Sequence, residues 1–270
     1  MSLQKGIDQL KPQFRGYILI LGDAGYEEAR KVYNGMIDKR PGAIARCLNV
    51  ADVMAAVRAA REQDVLVAIR GGGHNAGGLG ICDGGLVIDL SLMRSAHVNP
   101  ASRTVRAEGG CTGGDVDHAT HAFGMATPTG TIATTGIAGL TLGGGIGHLS
   151  RPYGLTIDNL LAVDVVLADG SFVIASADEH QDLFWAVRGG GGNFGVVTSF
   201  LFRLQPVKMV NAGPTFWPLD QTPQVMKAYR EFIAQAPEDV SGFLVFSHRQ
   251  YQGQSPVSGG MQYLLRRGNE

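Results

Sequence analysis

The run Arg70-Gly71-Gly72-Gly73-His74 constrains this chain more than any other feature. An apolar, β-branched stretch, Val65-Leu66-Val67-Ala68-Ile69, leads directly into it. The loop then stays rich in glycine through Gly77-Gly78, Gly80 and Gly84-Gly85. A strand that ends in such a loop presents bare backbone N–H groups, because glycine admits positive φ and close approach. Arg70 can add a forked, charge-assisted contact to a phosphate. His74 stands at the tip as a candidate nucleophile. The pattern points to a diphosphate-bearing cofactor beside a reactive imidazole. A purely structural turn with an ordinary hydrogen-bonded histidine reads from the same residues, so the loop by itself leaves both open.

A second stretch narrows the choice. Pro128 to Gly147, PTGTIATTGIAGLTLGGGIG, is almost free of charge and dominated by small residues. Such a segment suits an extended wall along a long flat ligand, with N–H groups for phosphates. Glycine is concentrated in these loops: the chain has 39 glycines in 270 residues, twice the ~7% of ordinary proteins, without a collagen period.

Between the loops the pattern alternates helices and strands. Asn49 reads as a helix N-cap, followed by Val50, Val53, Met54, Val57 and Ala60 at helical spacing. Leu86 to Leu90 reads as a buried strand and Thr104 to Glu108 as a half-buried one. A short helix is expected over Asp115 to Phe123. LAVDVVLADGSFVIAS, from Leu161, reads as a hairpin around a type I′ Asp169-Gly170 turn. Asp178 is expected to cap a helix that stops near Gly189, and a strand follows from Val196 to Leu204. Pro206 marks a boundary. Beyond it come a helix opened by Thr222-Pro223, a strand at Phe243 to Phe246 and a polar tail.

Several functions are excluded or disfavoured. The net charge is −1, with no block of Lys and Arg, so no nucleic-acid partner is expected. No run approaches ~18 apolar residues, so no membrane partner is expected. The N-terminus carries no signal-peptide pattern. Cys47, Cys82 and Cys111 lack CxxC spacing and read as free, buried thiols in a reducing, cytoplasmic setting. Asp115, Asp117, His118 and His121 imitate a metal cluster, but the aspartates do not share the histidines' helical face. They read as a solvated helix surface, and no metal is expected. Gly71-x-Gly73-x-x-Ala76 is followed by more glycine where a Rossmann unit needs a helix. Gly190-x-Gly192-x-x-Gly195 lies between a helix and a strand, the reverse of the required order. There is no GxSxG elbow, Walker lysine loop or HExxH.

The combination of RGGGHN, GTIATTGIAGLTLGGGIG, RPYGLTIDNL and GGGGNFGVVTSF, in this order, resembles the FAD-binding domain of the vanillyl-alcohol oxidase superfamily. It is most similar to the berberine-bridge-enzyme-like oxidases, especially bacterial ones. The resemblance covers about residues 30–206 and continues weakly to about 247. It implies an α+β, PCMH-type FAD-binding domain of two subdomains, residues 1–95 and 96–206, followed by the start of an α+β substrate domain, residues 207–270. The implied cofactor is FAD. Backbone of Gly71, Gly72, Gly73 and Asn75 matches the family's pyrophosphate loop, with Arg70 beside it. Thr131, Ile132, Thr135, Gly136, Gly139, Leu140, Gly144 and Gly147 match the second flavin wall, and Val197 the strand beside the adenosine portion. Asp158-Asn159 is expected to fix the turn into the strand near Leu161. His74 falls on the covalent attachment site. Ile132 stands where many relatives carry a second, cysteine link, so a single covalent bond is expected.

The implied chemistry is hydride transfer from a small-molecule substrate to flavin, with O₂ as electron acceptor. The family's substrate domain and catalytic base come mostly from a later segment, so no catalytic base is assigned here. The last ~65 residues read as the opening of a domain too small to bury its faces, and poor solubility is expected. The alternative is a catalytically inactive flavin-binding module.

Overall fold

A computed structural model describes residues 3–207, 210–246 and 257–265. Helix α1 (Leu3–Leu10) buries Ile7 and Leu10. Strand β1 (Tyr17–Leu19), helix α2 (Tyr26–Ala29) and strand β2 (Ala43–Arg46) follow. Helix α3 (Val50–Glu62) begins where its cap is read: the Asn49 side chain accepts from the Asp52 N–H at 3.0 Å. Its Val53, Ala56 and Ala60 are buried, and these small side chains share one core with Ile7 and Leu10.

Strands β3 (Val67–Arg70) and β4 (Leu86–Asp89) complete a four-stranded sheet of order β1-β2-β4-β3. Strand β3 starts two residues later than the apolar run suggests and takes in Arg70. Both β2 and β3 run parallel to β4, and β1 is antiparallel to β2. A parallel neighbour needs a crossover, usually a helix. Here the glycine loop of residues 71–85 makes the crossing without one. The loop therefore leaves from the carboxyl end of β3, where α/β sheets generally place their ligands.

The second sheet is built from β5 (Ala96–Asn99), β6 (Thr104–Glu108), β8 (Leu160–Val166), β9 (Phe172–Ser176) and β10 (Val196–Arg203), in the order β5-β6-β10-β8-β9 and antiparallel throughout. Strand β7 (Met125–Ala126) pairs with β11 (Gln205–Pro206) beside it. Val105, Val163, Val165, Phe200 and Phe202 pack in one core with side chains from α4 (Gly113–His121), α5 (Ile137–Leu142) and α7 (Gln181–Val187). A short helix, α6 (Ser150–Tyr153), precedes β8. Asp158 accepts from the Leu155 N–H, and Asn159 donates to the carbonyls of Tyr153 and Leu155, fixing the turn into β8.

Four local expectations are corrected. The β8–β9 turn is not type I′: Gly170 has φ of 77° but Asp169 does not have positive φ. Leu167 and Ser171 close a three-residue loop with glycine in the left-handed position, the alternative hairpin geometry. Helix α7 starts at Gln181 after His180, and the Asp178 N–H instead turns back onto Ser176 Oγ. The second glycine-rich segment is not extended throughout, because Ile137, Thr141 and Leu142 are buried on one face of α5. Asp115 is not part of a merely solvated surface: it closes a capping box with Thr112 and receives a bidentate hydrogen bond from Arg94.

The remainder forms a three-stranded antiparallel sheet, β12 (Val210–Pro218), β13 (Val240–Phe246) and β14 (Val257–Leu265), in the order β12-β14-β13. Helix α8 (Thr222–Gln235) starts with Pro223 in its first turn and buries no residue. Strands β12 and β14 were not read from the sequence; the polar tail read there lies outside the described residues. Arg151 of α6 ties this part to the second sheet by donating to the carbonyls of Val240 (2.7 Å) and Ala236 (3.0 Å). All three cysteines are free and buried. Among the described residues no helix is long and apolar enough to cross a membrane, and no group of three His, Cys, Asp or Glu could hold a metal ion.

Candidate functional site

The carboxyl ends of β2, β4 and β3 bring Arg46, Asp89 and Arg70 into register. Asp89 is fully buried. A buried carboxylate is costly unless its oxygens are paired. Arg70 meets it bidentately, Nη2 at 2.6 Å and Nε at 3.3 Å, and Arg46 and Ser91 add further bonds. Arg70 Nη1 donates to the carbonyls of Ala29 and Lys31. This corrects the reading of Arg70 as a phosphate fork: the fork is engaged by Asp89, and Arg70 anchors the root of the loop. The lone charge in the apolar run LVIDL was the sequence signal for that pairing.

The loop itself lines a cleft of about 730 Å³, together with Gly25, Lys31, Tyr33, Arg46, Arg94 and Thr134. Among the described residues, no carbonyl or side chain accepts from the N–H groups of Gly71, Gly72, Gly73 or His74. Successive unspent N–H groups on a glycine turn form a concavity suited to an anion. Gly73 reaches it with φ of 69°. Gly72 packs directly against the backbone of Gly136 on the second loop. A Cβ on Gly72 would lie 2.4 Å from Gly136 N, and one on Gly136 would lie 2.3 Å from Gly72 N.

His74 is held from three sides. Tyr33 stacks on its ring with centroids 4.2 Å apart and planes 15° from parallel. Thr135 Oγ1 lies 3.4 Å from Nδ1 and Thr134 Oγ1 3.4 Å from Nε2. The first turn of α4 fixes the second loop, because the Gly113 and Gly114 N–H groups donate to Thr135 and Ala133. Burial works to raise the Asp115 carboxyl, but hydrogen bonds from Arg94 and Thr112 hold it below the usual carboxylate range, so the cap stays charged.

The other predicted residues divide. Gly71, Gly72, Gly73, His74, Thr135 and Gly136 come together. Asn75 adjoins them, its side chain accepting from the Leu79 N–H. Thr131, Leu140 and Gly147 gather instead around Gly130 and His148. The Thr131 carbonyl meets His148 Nε2 at 3.2 Å, and Gly147 lies on the Gly130 backbone. Burial pushes the His148 imidazole below its ordinary value, and its ring stacks on Phe243. Ile132 is 55% exposed. None of the residues read as the second flavin wall lines the cleft, Thr135 and Gly136 included; the second loop reaches it through Thr134. Val197 lies on β10 with its side chain buried in the core of the second sheet. Tyr33, Thr134 and Asp89 were not picked out from the sequence. Tyr33 carried no signal beyond an aromatic ahead of an Asn-Gly turn.

The site thus joins two facing glycine loops, and the first carries the clasped His74 and four N–H groups that meet no acceptor among the described residues. The profile of the FAD binding domain family matches residues 41–176. The chain is 41% identical over 205 residues to (R)-6-hydroxynicotine oxidase of Paenarthrobacter nicotinovorans, covering 75% of this chain and 44% of that protein. The crystal structure of 6-hydroxy-D-nicotine oxidase from Arthrobacter nicotinovorans superposes with a TM-score of 0.87 at 33% identity, over 94% of this chain and 56% of that one. The BBE-like 1 protein of Physcomitrella patens gives 0.88 at 30% identity, over 97% and 56%. The chain belongs to the FAD binding domain family, in its berberine-bridge-enzyme-like branch of FAD-linked oxidoreductases, with the PCMH-type fold. It spans about half the length of these relatives. The N–H groups of Gly71 to His74, which meet no acceptor among the described residues and sit on a turn that lines the cleft, fit the diphosphate of FAD.

Proposed function

We propose that this chain is the flavin-carrying part of an FAD-dependent oxidase that acts on a small molecule, with the flavin bonded covalently through His74 alone. Bound FAD would supply the redox chemistry, accepting a hydride from a substrate C–H bond and passing the electrons to O₂. The chain's own residues hold and orient it. The Gly71–His74 N–H groups receive the diphosphate, and the loop anchored by Arg70 and Asp89 keeps them in place. Thr135 and Gly136 back the first loop by packing on His74 and Gly72. His74 presents an imidazole, a competent nucleophile near neutral pH. Ile132 cannot form a second link. Residues 1–95 and 96–206 are assigned to the two FAD-binding subdomains and 207–270 to the substrate side. The buried free thiols fit a cytoplasmic setting.

The observation that carries this reading is the run of unspent N–H groups facing Gly136 across a two-glycine contact. Replacing Gly72 by Ala puts a methyl group against the Gly136 backbone and forces the loops apart, at a cost of about 1–3 kcal/mol. Titration of flavin-free protein with FAD, followed by quenching of flavin fluorescence, should show saturable binding. Affinity should fall at least about tenfold in Gly72→Ala, the equivalent of ~1.4 kcal/mol. Equal affinity in the two proteins would remove the two loops as the binding site.

A further inference from the structure

We propose that Tyr33 is a positioning residue for covalent flavin attachment at His74; this rests on the flavin reading above. Tyr33 is 72% exposed, so the fold gains little core from it. Its ring nevertheless lies 4.2 Å from the imidazole and nearly parallel to it. The segment that carries it is fastened to the glycine loop on both sides of His74. The Tyr33 N–H donates to the Gly73 carbonyl at 3.0 Å, and Asn34 Nδ2 donates to the Ala76 carbonyl at 2.8 Å. Lys39 Nζ, further along, donates to the carbonyls of Gly78 and Ile81. The residues after α2 thus form a strap over the loop. Tyr33 fixes the plane of the imidazole, while Thr134 and Thr135 meet its two nitrogen edges.

The bond itself joins an imidazole nitrogen to the 8α carbon of the flavin. A C–H bond at that carbon breaks and the ring nitrogen gives up its proton. The flavin takes the electron pair and both protons. Dioxygen then removes two electrons and two protons, leaving hydrogen peroxide and oxidised, attached flavin. Attack requires the nitrogen lone pair to be aimed at one carbon, and a ring free to rotate loses most of that advantage. Tyr33 acts on this step through His74 and leaves the diphosphate contacts alone.

The test uses the full chain, prepared without flavin, as wild type, Tyr33→Phe and Tyr33→Ala. Each is incubated with FAD, and samples are acid-precipitated at intervals to read the flavin in the pellet. Covalent incorporation should slow at least about tenfold in Tyr33→Ala and stay near wild type in Tyr33→Phe, which keeps the stacked ring. In a His74→Ala background, where no bond forms, Tyr33→Ala should weaken FAD affinity by clearly less than the fold by which it slows incorporation. A wild-type rate in Tyr33→Ala would overturn the proposal alone. So would a loss of affinity in the His74→Ala background as large as the loss of rate, since Tyr33 would then serve binding. Wild type with no flavin in the pellet would overturn the covalent reading and this proposal with it.

Discussion

Asp89 shows how one residue sets the site. It sits at 0% exposure, accepts from Arg70, Arg46 and Ser91, and so fixes the strand end from which the glycine loop leaves. Removing one member of such a buried pair typically costs 3–5 kcal/mol, because the other charge is stranded. The sequence placed the loop and His74 but read Arg70 outward, since a charge at a strand end is equally suited to solvent, a phosphate or a buried partner. Three-dimensional register decides among these. The cysteines were legible as buried, and their surroundings make a pH prediction. Burial, with Asp115 nearby, pushes the Cys111 thiol up to about 12, and burial raises Cys47 further. In the unfolded chain both ionise near ~8.5. Below that pH neither state loses a proton and there is no effect. Above it the unfolded chain alone ionises, so stability falls by about 1.4 kcal/mol per pH unit per thiol, until the folded thiol titrates. Urea midpoints should drop between pH 8 and 10, and drop less in the Cys47→Ala/Cys111→Ala double variant. An equal drop in both proteins would contradict the buried-thiol account.

Elements with strong local signals were legible. Helix α3 carries its own cap and a repeating apolar face, so no tertiary information was needed to find it. Asn49→Ala leaves the Asp52 N–H without its side-chain acceptor and should cost about 1 kcal/mol by urea denaturation. A change under a few tenths would mean that the cap is replaced by solvent. Strand β10, with its run VVTSFLFR, and the β8–β9 hairpin were equally clear. The hairpin's turn type was not, because Asp-Gly serves both I′ turns and the three-residue alternative. Helix α5 was hidden because it is only six residues long and its glycine, threonine and β-branched isoleucine are weak helix formers. Burial of Ile137 and Leu142 against the second sheet overrides that propensity. Strand β12 was hidden for the opposite reason: its residues, from Val210 to Pro218, are mostly exposed, so no alternation marks it.

At the scale of the molecule, two sheets of different topology meet beside a cleft that the glycine turn after β3 lines. The first is mostly parallel and supplies the glycine turn that carries His74; the second is antiparallel and supplies the facing loop. The Gly72–Gly136 backbone contact joins their loops. The motif order made this architecture legible, but sequence gave no distances, so the clasp on His74 by Tyr33, Thr134 and Thr135 emerged only from the fold. The central claim is that these loops carry FAD on His74. It is tested most directly by the visible absorption spectrum of the purified chain before and after acid precipitation. The account predicts flavin bands that stay with the pellet in wild type and leave it in His74→Ala. Bands released to the supernatant from wild type would contradict the covalent link, and no flavin band even after FAD is added would contradict the site itself.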